Sequence, residues 1–302
     1  MSGVAGIWSP VVTPVDGNLA PDADRFVRHA TRLLADGCHG LVIFGTTGEA
    51  PSFAADERMA LLETVVSAGL PPDRIIVGAG CPALTDTVRL IRHAAATGCA
   101  GVLVVPPWWF RDIPEEGVFR SYAEVIERCA GNLPDLYLYH FPRLSGVPVT
   151  PALVGRIAGA FPGVVAGIKD SGGDWNNTRA LLDAHPDLAV FPGSETWLLP
   201  ALRAGGAGCI TATANVNAAA IRAIWNAWKA GDGRVDALQE DAVSVRRAIE
   251  GWPLAPALRH ILALRYDDPG WRIPRPPLLP LDEDQGGALD AALAKAGFDP
   301  RG

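Results

Sequence analysis

The chain has 302 residues, 49% of them apolar and 20% charged, an ordinary globular composition that excludes long disorder, collagen-like repeats and a coiled coil. Its net charge is −7 and no basic run offers a footing for a phosphate backbone, so nucleic acid is excluded as a partner. The longest run free of charges and typical turn polars, 99–110, carries two prolines and is too short to cross a bilayer as a helix, so no membrane association is expected.

From the N-terminus, the opening residues 1–17 hold neither a basic region nor a cleavage motif, and the expected location is the cytoplasm. Apolar runs rich in β-formers then fall at 6–15, 39–45, 74–80, 101–107, 135–142, 164–171, 188–195 and 208–215. Between them lie stretches of helical period, such as 22–34, 55–68, 85–96 and 114–128. Near-continuous apolar strands with helical crossovers signal a parallel sheet buried on both faces, and eight such units predict a (β/α)8 TIM barrel over 1–217. A doubly wound open sheet is the alternative. After residue 215 the strand signal stops, and 218–230, 235–250, 256–264 and 282–296 read as helices, with 270–280 as a proline-rich connector. Residues 218–302 are therefore expected to form a C-terminal helical extension.

In a barrel the chemistry sits at the C-terminal ends of the strands. The second strand ends in Gly45-Thr46-Thr47-Gly48-Glu49, whose backbone amides and threonine hydroxyls suit a carboxylate, with Glu49 as a brace for the turn. The fifth places Tyr137 and Tyr139 on one face and His140 on the other, and the Tyr139 phenol can move protons. The sixth holds Lys169, one of only three lysines, on the face expected for Val165 and Gly167, where Gly167 leaves room for a ligand. A lysine facing a barrel interior is desolvated, which favours the neutral amine able to attack a ketone; pairing with Asp170 is the plainer alternative. The seventh ends in Gly193-Ser194-Glu195-Thr196 and the eighth contains Ile210-Thr211-Ala212-Thr213-Ala214-Asn215, both offering groups that hold substrate.

The six histidines are scattered without HxH or HExxH spacing, and the five cysteines form no CxxC, so no metal is expected and the thiols read as reduced. Neither GxGxxG nor a P-loop occurs, so no nucleotide cofactor is expected.

The motifs at 45–49, 139–142, 167–170 and 208–216, in that order and spacing, resemble those of the dihydrodipicolinate synthase / N-acetylneuraminate lyase family of class I aldolases. The resemblance runs from about residue 6 to the C-terminus. It implies a (β/α)8 barrel with a helical extension, a homotetramer or homodimer, and a Schiff base formed at Lys169 with pyruvate or a 2-keto acid that yields it, without any cofactor. It further implies that Tyr139 transfers protons, that Thr46 and Thr47 hold the carboxylate and relay protons, and that the backbone of Ile210 seats the pyruvyl group.

Two departures bear on the aldehyde partner. Synthase members usually present Pro-Tyr-Tyr after the fourth strand, where this chain has Pro107-Trp108-Trp109, and an indole cannot replace an acidic hydroxyl. They also carry an arginine two residues after the proline of the strand-five motif, where Leu144 stands here and Arg143 one residue earlier remains a candidate for an anionic substrate. Trp108, Trp109 and Phe110 hint at an apolar aldehyde portion or a subunit contact. The expected order of activities is a 2-keto-3-deoxy sugar-acid aldolase, then a dihydrodipicolinate synthase acting on aspartate semialdehyde, then a 2-keto acid dehydratase. The alternative outside catalysis is a regulatory barrel that binds a keto acid.

Overall fold

A computed structural model describes residues 4–301; the first three residues of the stretch read for a leader, and Gly302, lie outside them. Eight parallel strands alternate with helices: β1 (Gly6–Pro10), β2 (Gly40–Ile43), β3 (Ile75–Gly78), β4 (Gly101–Val104), β5 (Asp135–His140), β6 (Val165–Asp170), β7 (Ala189–Pro192) and β8 (Gly208–Ile210). They lie in the order β7-β6-β5-β4-β3-β2-β1-β8, so β1 pairs with both β2 and β8. The Ala207 amide donates to the Val190 carbonyl at 3.1 Å and draws β7 towards β8, which nearly closes the cylinder. This is the expected TIM barrel, and the open sheet is excluded.

The strands are shorter than the apolar runs that announced them. After Pro10, Ile43 and Ile210 the chain leaves the ladder, yet Val11, Val12, Phe44 and Ala212 stay buried because the turns at the barrel mouth are themselves packed. Apolar character thus runs past the end of hydrogen-bonded pairing. Inside the cylinder, Trp8, Val42, Ile76, Leu103, Tyr137 and Phe191 fill the centre, while a separate and larger cluster joins the outward strand faces to the surrounding helices.

One register feature departs from simple alternation. Leu136 pairs with Val165 but Tyr137 pairs with Gly167, so Ala166 is an extra residue in β6. Val165 therefore packs outward, whereas Gly167 and Lys169 keep the inward face. Gly167 does not leave room for a ligand: a Cβ there would collide with the carbonyl oxygen of Ala189. The glycine is needed because β6 and β7 approach closely.

Beyond β8, helix Ala214–Ala230 leaves helical geometry at Asn217 (φ −133°), the last residue before the expected extension, 218–302. Helices Val235–Glu250, Leu254–Tyr266 and Glu283–Lys295 then share an apolar core with Val12 and Ala212, at the ends of β1 and β8. The C-terminal helices are thereby packed onto the mouth rather than hung from it. Within the proline-rich connector, Trp271 is fully buried against His29 and Tyr266.

Candidate active site

β5 and β6 run side by side with Tyr139 opposite Lys169. Both residues are buried, and the Lys169 Nζ lies 4.5 Å from the centroid of the Tyr139 ring. Among the described residues the Lys169 side chain forms no ion pair. Asp170, its sequence neighbour, faces the helix layer instead, where its carboxylate accepts from Thr178 Oγ1 (2.7 Å), Asn177 Nδ2 (3.0 Å) and the Gly172 amide (2.8 Å). That satisfied carboxylate removes the plainer reading of Lys169 as a partner of Asp170. His140, on the same outward face, accepts from the Val149 amide at 3.0 Å, and burial holds its pKa below the ordinary value.

The turn after β2 meets this pair from the other side. The Thr46 hydroxyl lies 3.3 Å from the Tyr139 hydroxyl, and Thr47 is buried beside it. The turn is bounded by two residues in left-handed backbone, Phe44 and Glu49, each with φ 57°. Between them the amides of Gly45, Thr46, Thr47 and Gly48 find no acceptor among the described residues. Successive free amides in a turn form an anion-binding concavity. A lysine amine, a phenol and such a concavity side by side can bind a 2-keto carboxylate, condense with its ketone and move its protons.

The other sequence candidates are placed differently. Ile210 ends β8 with its side chain in the inner cluster. Gly193 follows β7, and its amide is committed to the Asp170 carbonyl at 2.6 Å. Glu195 is fully buried, accepting from the hydroxyls of Thr211 (2.5 Å) and Thr213, with Arg246 Nη1 at 3.7 Å. It acts as a brace between β7, β8 and the C-terminal helices, not as a free acceptor. Arg143 lies on the exposed side of the turn Pro142–Ser145, its guanidinium 5.9 Å from the Phe141 ring, while Leu144 is the residue that turns to the cavity. The structure thus brings together Lys169, Tyr139, Thr46 and Thr47, keeps Ile210 at the same mouth, and leaves Arg143 outside.

The cavity beside Tyr139 measures about 170 Å³, and its walls include Phe44, Leu103, Val105, Trp108, Phe141 and Leu144. Sequence reasoning missed Phe44, Leu103 and Val105, which look like ordinary strand residues; Trp108, after the fourth strand, and Leu144, at a position where arginine is usual in the synthases, carried a signal. It also missed the ion pair that holds the turn. Arg259, in helix Leu254–Tyr266, donates from Nε to Glu49 Oε1 at 2.7 Å and from Nη2 to the Thr13 carbonyl at 2.6 Å. Glu49 is thus the brace the sequence proposed, but its partner is 210 residues away. Burial holds the Arg259 pKa below its ordinary value, while the Glu49 charge opposes that shift. Among the described residues no three His, Cys, Asp or Glu side chains gather into a group able to hold a metal ion.

A family model described as "Dihydrodipicolinate synthetase family" matches residues 3–296. An uncharacterized DapA-like lyase of Chloroflexus aurantiacus is 34% identical over 296 residues, covering 98% of each chain. A 4-hydroxy-tetrahydrodipicolinate synthase of a Synechococcus species is 32% identical over 291 residues, covering 95% of this chain and 94% of the relative. The crystal structure of dihydrodipicolinate synthase from Agrobacterium tumefaciens superposes with a TM-score of 0.89 at 29% identity, over 96% of this chain and 99% of that one.

Proposed function

The chain belongs to the dihydrodipicolinate synthetase family, and from that premise we propose that Lys169 forms a Schiff base with pyruvate, or with a 2-keto acid that yields pyruvate on cleavage. The protein is a lyase of the class I pyruvate aldolase type. The observation that carries the assignment of the lysine is its setting: a buried amine on the inward face of β6, beside a phenol, with no carboxylate paired to it among the described residues.

In this reading the keto acid's carboxylate lies against the free amides of the turn 45–48 and the Thr46 and Thr47 hydroxyls. The Lys169 amine adds to the ketone carbon, and the resulting carbinolamine loses water to give an iminium. Tyr139 delivers the proton that lets hydroxide leave as water, and Thr46, 3.3 Å from the phenol, connects it to the substrate end. Loss of a C3 proton converts the iminium to an enamine, whose C3 attacks the aldehyde carbonyl carbon while the aldehyde oxygen takes a proton. Water then releases the product and restores the amine. The iminium is the electron sink, so the proposed sequence uses no metal or organic cofactor. Ile210 and Gly193 contribute backbone to the same mouth.

The two-substrate family reaction of the synthase relative, condensation with aspartate semialdehyde, stands as the second reading because that relative is similar over nearly the whole chain. Work in the cytoplasm and assembly into homodimers or homotetramers belong to the same proposal. Trp109 and Phe110, 77% and 70% exposed beside the site, are the surface that assembly would cover. No helix among the described residues is long and apolar enough to cross a membrane.

Enamine formation can be read without knowing the aldehyde. Incubated with pyruvate in deuterium oxide, the enzyme is expected to exchange the C3 protons of pyruvate, followed by NMR, and Lys169→Arg to abolish the exchange. Exchange that persists in Lys169→Arg, or none in the native enzyme, refutes the assignment.

A further inference from the structure

We infer that the second substrate is an aldehyde whose substituent is apolar and about the size of an aromatic ring or a branched alkyl group, and neither a sugar-acid fragment nor an anionic semialdehyde. The inference rests on the Schiff-base reading above and concerns the cavity beside Tyr139, whose lining shares Thr46 and Tyr139 with the keto-acid site but does not include Lys169.

The polar groups of the cavity are few, and most are already engaged. Of the side chains lining it, only Thr46, Tyr139 and Ser145 carry hydroxyls, and none is charged. The first two are required at the keto-acid end. Ser145 is turned back on its own loop: its Oγ lies 3.1 Å from the Phe141 carbonyl and 2.9 Å from the Val147 carbonyl, and accepts from the Val147 amide at 3.2 Å. Its single proton is therefore spoken for within the loop.

Cations surround the cavity without entering it. Arg58 sits behind Phe44, 5.6 Å from the ring, with Nη1 on Cys81 Sγ and Nη2 on the Gly78 carbonyl. Arg111 and Arg143 are exposed on the rim and neither lines the cavity. A second carboxylate placed here would lose its hydration with no counter-charge in the wall, and the hydroxyls of a polyol chain would lose theirs with few partners. By contrast Phe44, Leu103, Val105, Phe141 and Leu144 line the cavity with apolar side chains, and Trp108 adds an indole whose one polar group is a single N–H donor. The whole cavity, including the end where Thr46 and Tyr139 meet the keto acid, measures about 170 Å³, against roughly 150 Å³ for an apolar cavity that accepts benzene, so the substituent can be no larger than about an aromatic ring.

The reaction so specified joins pyruvate to R–CHO to give a 4-hydroxy-2-oxo acid with R on C4, or splits that acid into the same two products. One carbon–carbon bond forms or breaks, and the proton lost from C3 of pyruvate is balanced by the one gained on the new hydroxyl. No oxidant or reductant is needed.

The test is a comparison of kcat/KM for benzaldehyde, 3-methylbutanal, glyceraldehyde and aspartate semialdehyde, each with saturating pyruvate. The first two are expected to exceed the last two by about 10- to 100-fold, the discrimination that apolar pocket contacts commonly supply. Leu144→Arg, which places a guanidinium in the wall at a half-exposed position, is expected to lower the benzaldehyde value about 10-fold or more and raise that for aspartate semialdehyde. Equal or better turnover of glyceraldehyde or aspartate semialdehyde by the native enzyme overturns the inference, as does turnover of no apolar aldehyde. If the native enzyme still exchanges pyruvate protons, that failure belongs to the substrate class alone; if exchange is absent, the Schiff-base reading and this inference fall together.

Discussion

Replacing Arg259 by methionine isolates what the C-terminal helices contribute to the mouth. The guanidinium is fully buried and Glu49 nearly so, and two nitrogens of Arg259 converge on Glu49 Oε1, with Nη2 2.6 Å from it. Methionine keeps much of the apolar stem and removes the charge, which leaves a buried carboxylate on a residue held at φ 57°. Removing one member of a buried pair costs about 3–5 kcal/mol because the remaining charge is uncompensated. Here Glu49 Oε2 and Arg259 Nη1 have no hydrogen-bond partner among the described residues, so the pair is incompletely satisfied and the lower end, about 3 kcal/mol, is expected. Urea unfolding at neutral pH measures the loss. The double variant Glu49→Gln/Arg259→Met removes the stranded charge and should recover about half of it. The same loosening of the turn should raise KM for the keto acid more than it lowers kcat, because the free amides of 45–48 bind ground state and transition state alike. A loss under about 1 kcal/mol for Arg259→Met, or a double variant less stable than the single, would refute the reasoning.

Three further outcomes follow from the same structure. Tyr139→Phe keeps the ring that packs near Lys169 but removes the proton donor, and should slow pyruvate proton exchange by about 10²- to 10⁴-fold, measured by NMR. Gly167→Ala drives a methyl group into the Ala189 carbonyl and should destabilise the barrel by about 1–3 kcal/mol in the same urea assay; a neutral result would show that β6 and β7 have room to part. His29 lies buried between Asn215 and Tyr266, and burial lowers its pKa from 6.5 to about 4. The unfolded chain binds that proton first, so the stabilisation is complete above pH 6.5 and is lost, on the order of 3 kcal/mol, as the pH falls through about 4. His29→Gln should flatten the stability-versus-pH slope in that window, and an unchanged slope would contradict it.

How much of this was legible in the sequence depended on the range of the interaction. The eight strands announced themselves through local apolar runs, and the rarity of lysine drew attention to Lys169 without any knowledge of its neighbours. Thr46 and Thr47 were legible because turn residues carry their chemistry locally. What alternation could not reveal was the extra residue Ala166, which breaks the two-residue period in β6 and puts Val165 on the outward face. Glu195 looked like a free acceptor because the hydroxyls that engage it, on Thr211 and Thr213, arrive only when β7 and β8 close the cylinder. Arg143 and Leu144 are adjacent in sequence, so which of them faces the cavity is decided by the turn Pro142–Ser145, a matter of one peptide's rotation that periodicity does not encode. Arg259 sits in an apolar helical stretch and gives no local hint of Glu49; such long-range charge pairs are visible only once the extension is docked.

The most direct test of the Schiff-base lysine uses the fact that the chain holds only three lysines, Lys169, Lys229 and Lys295. Reduction with borohydride in the presence of pyruvate, followed by digestion and peptide mass mapping, is expected to place the adduct on Lys169 and leave Lys229 and Lys295 unmodified. Equal labelling of all three, or an unmodified Lys169 in enzyme that turns over, would contradict the assignment.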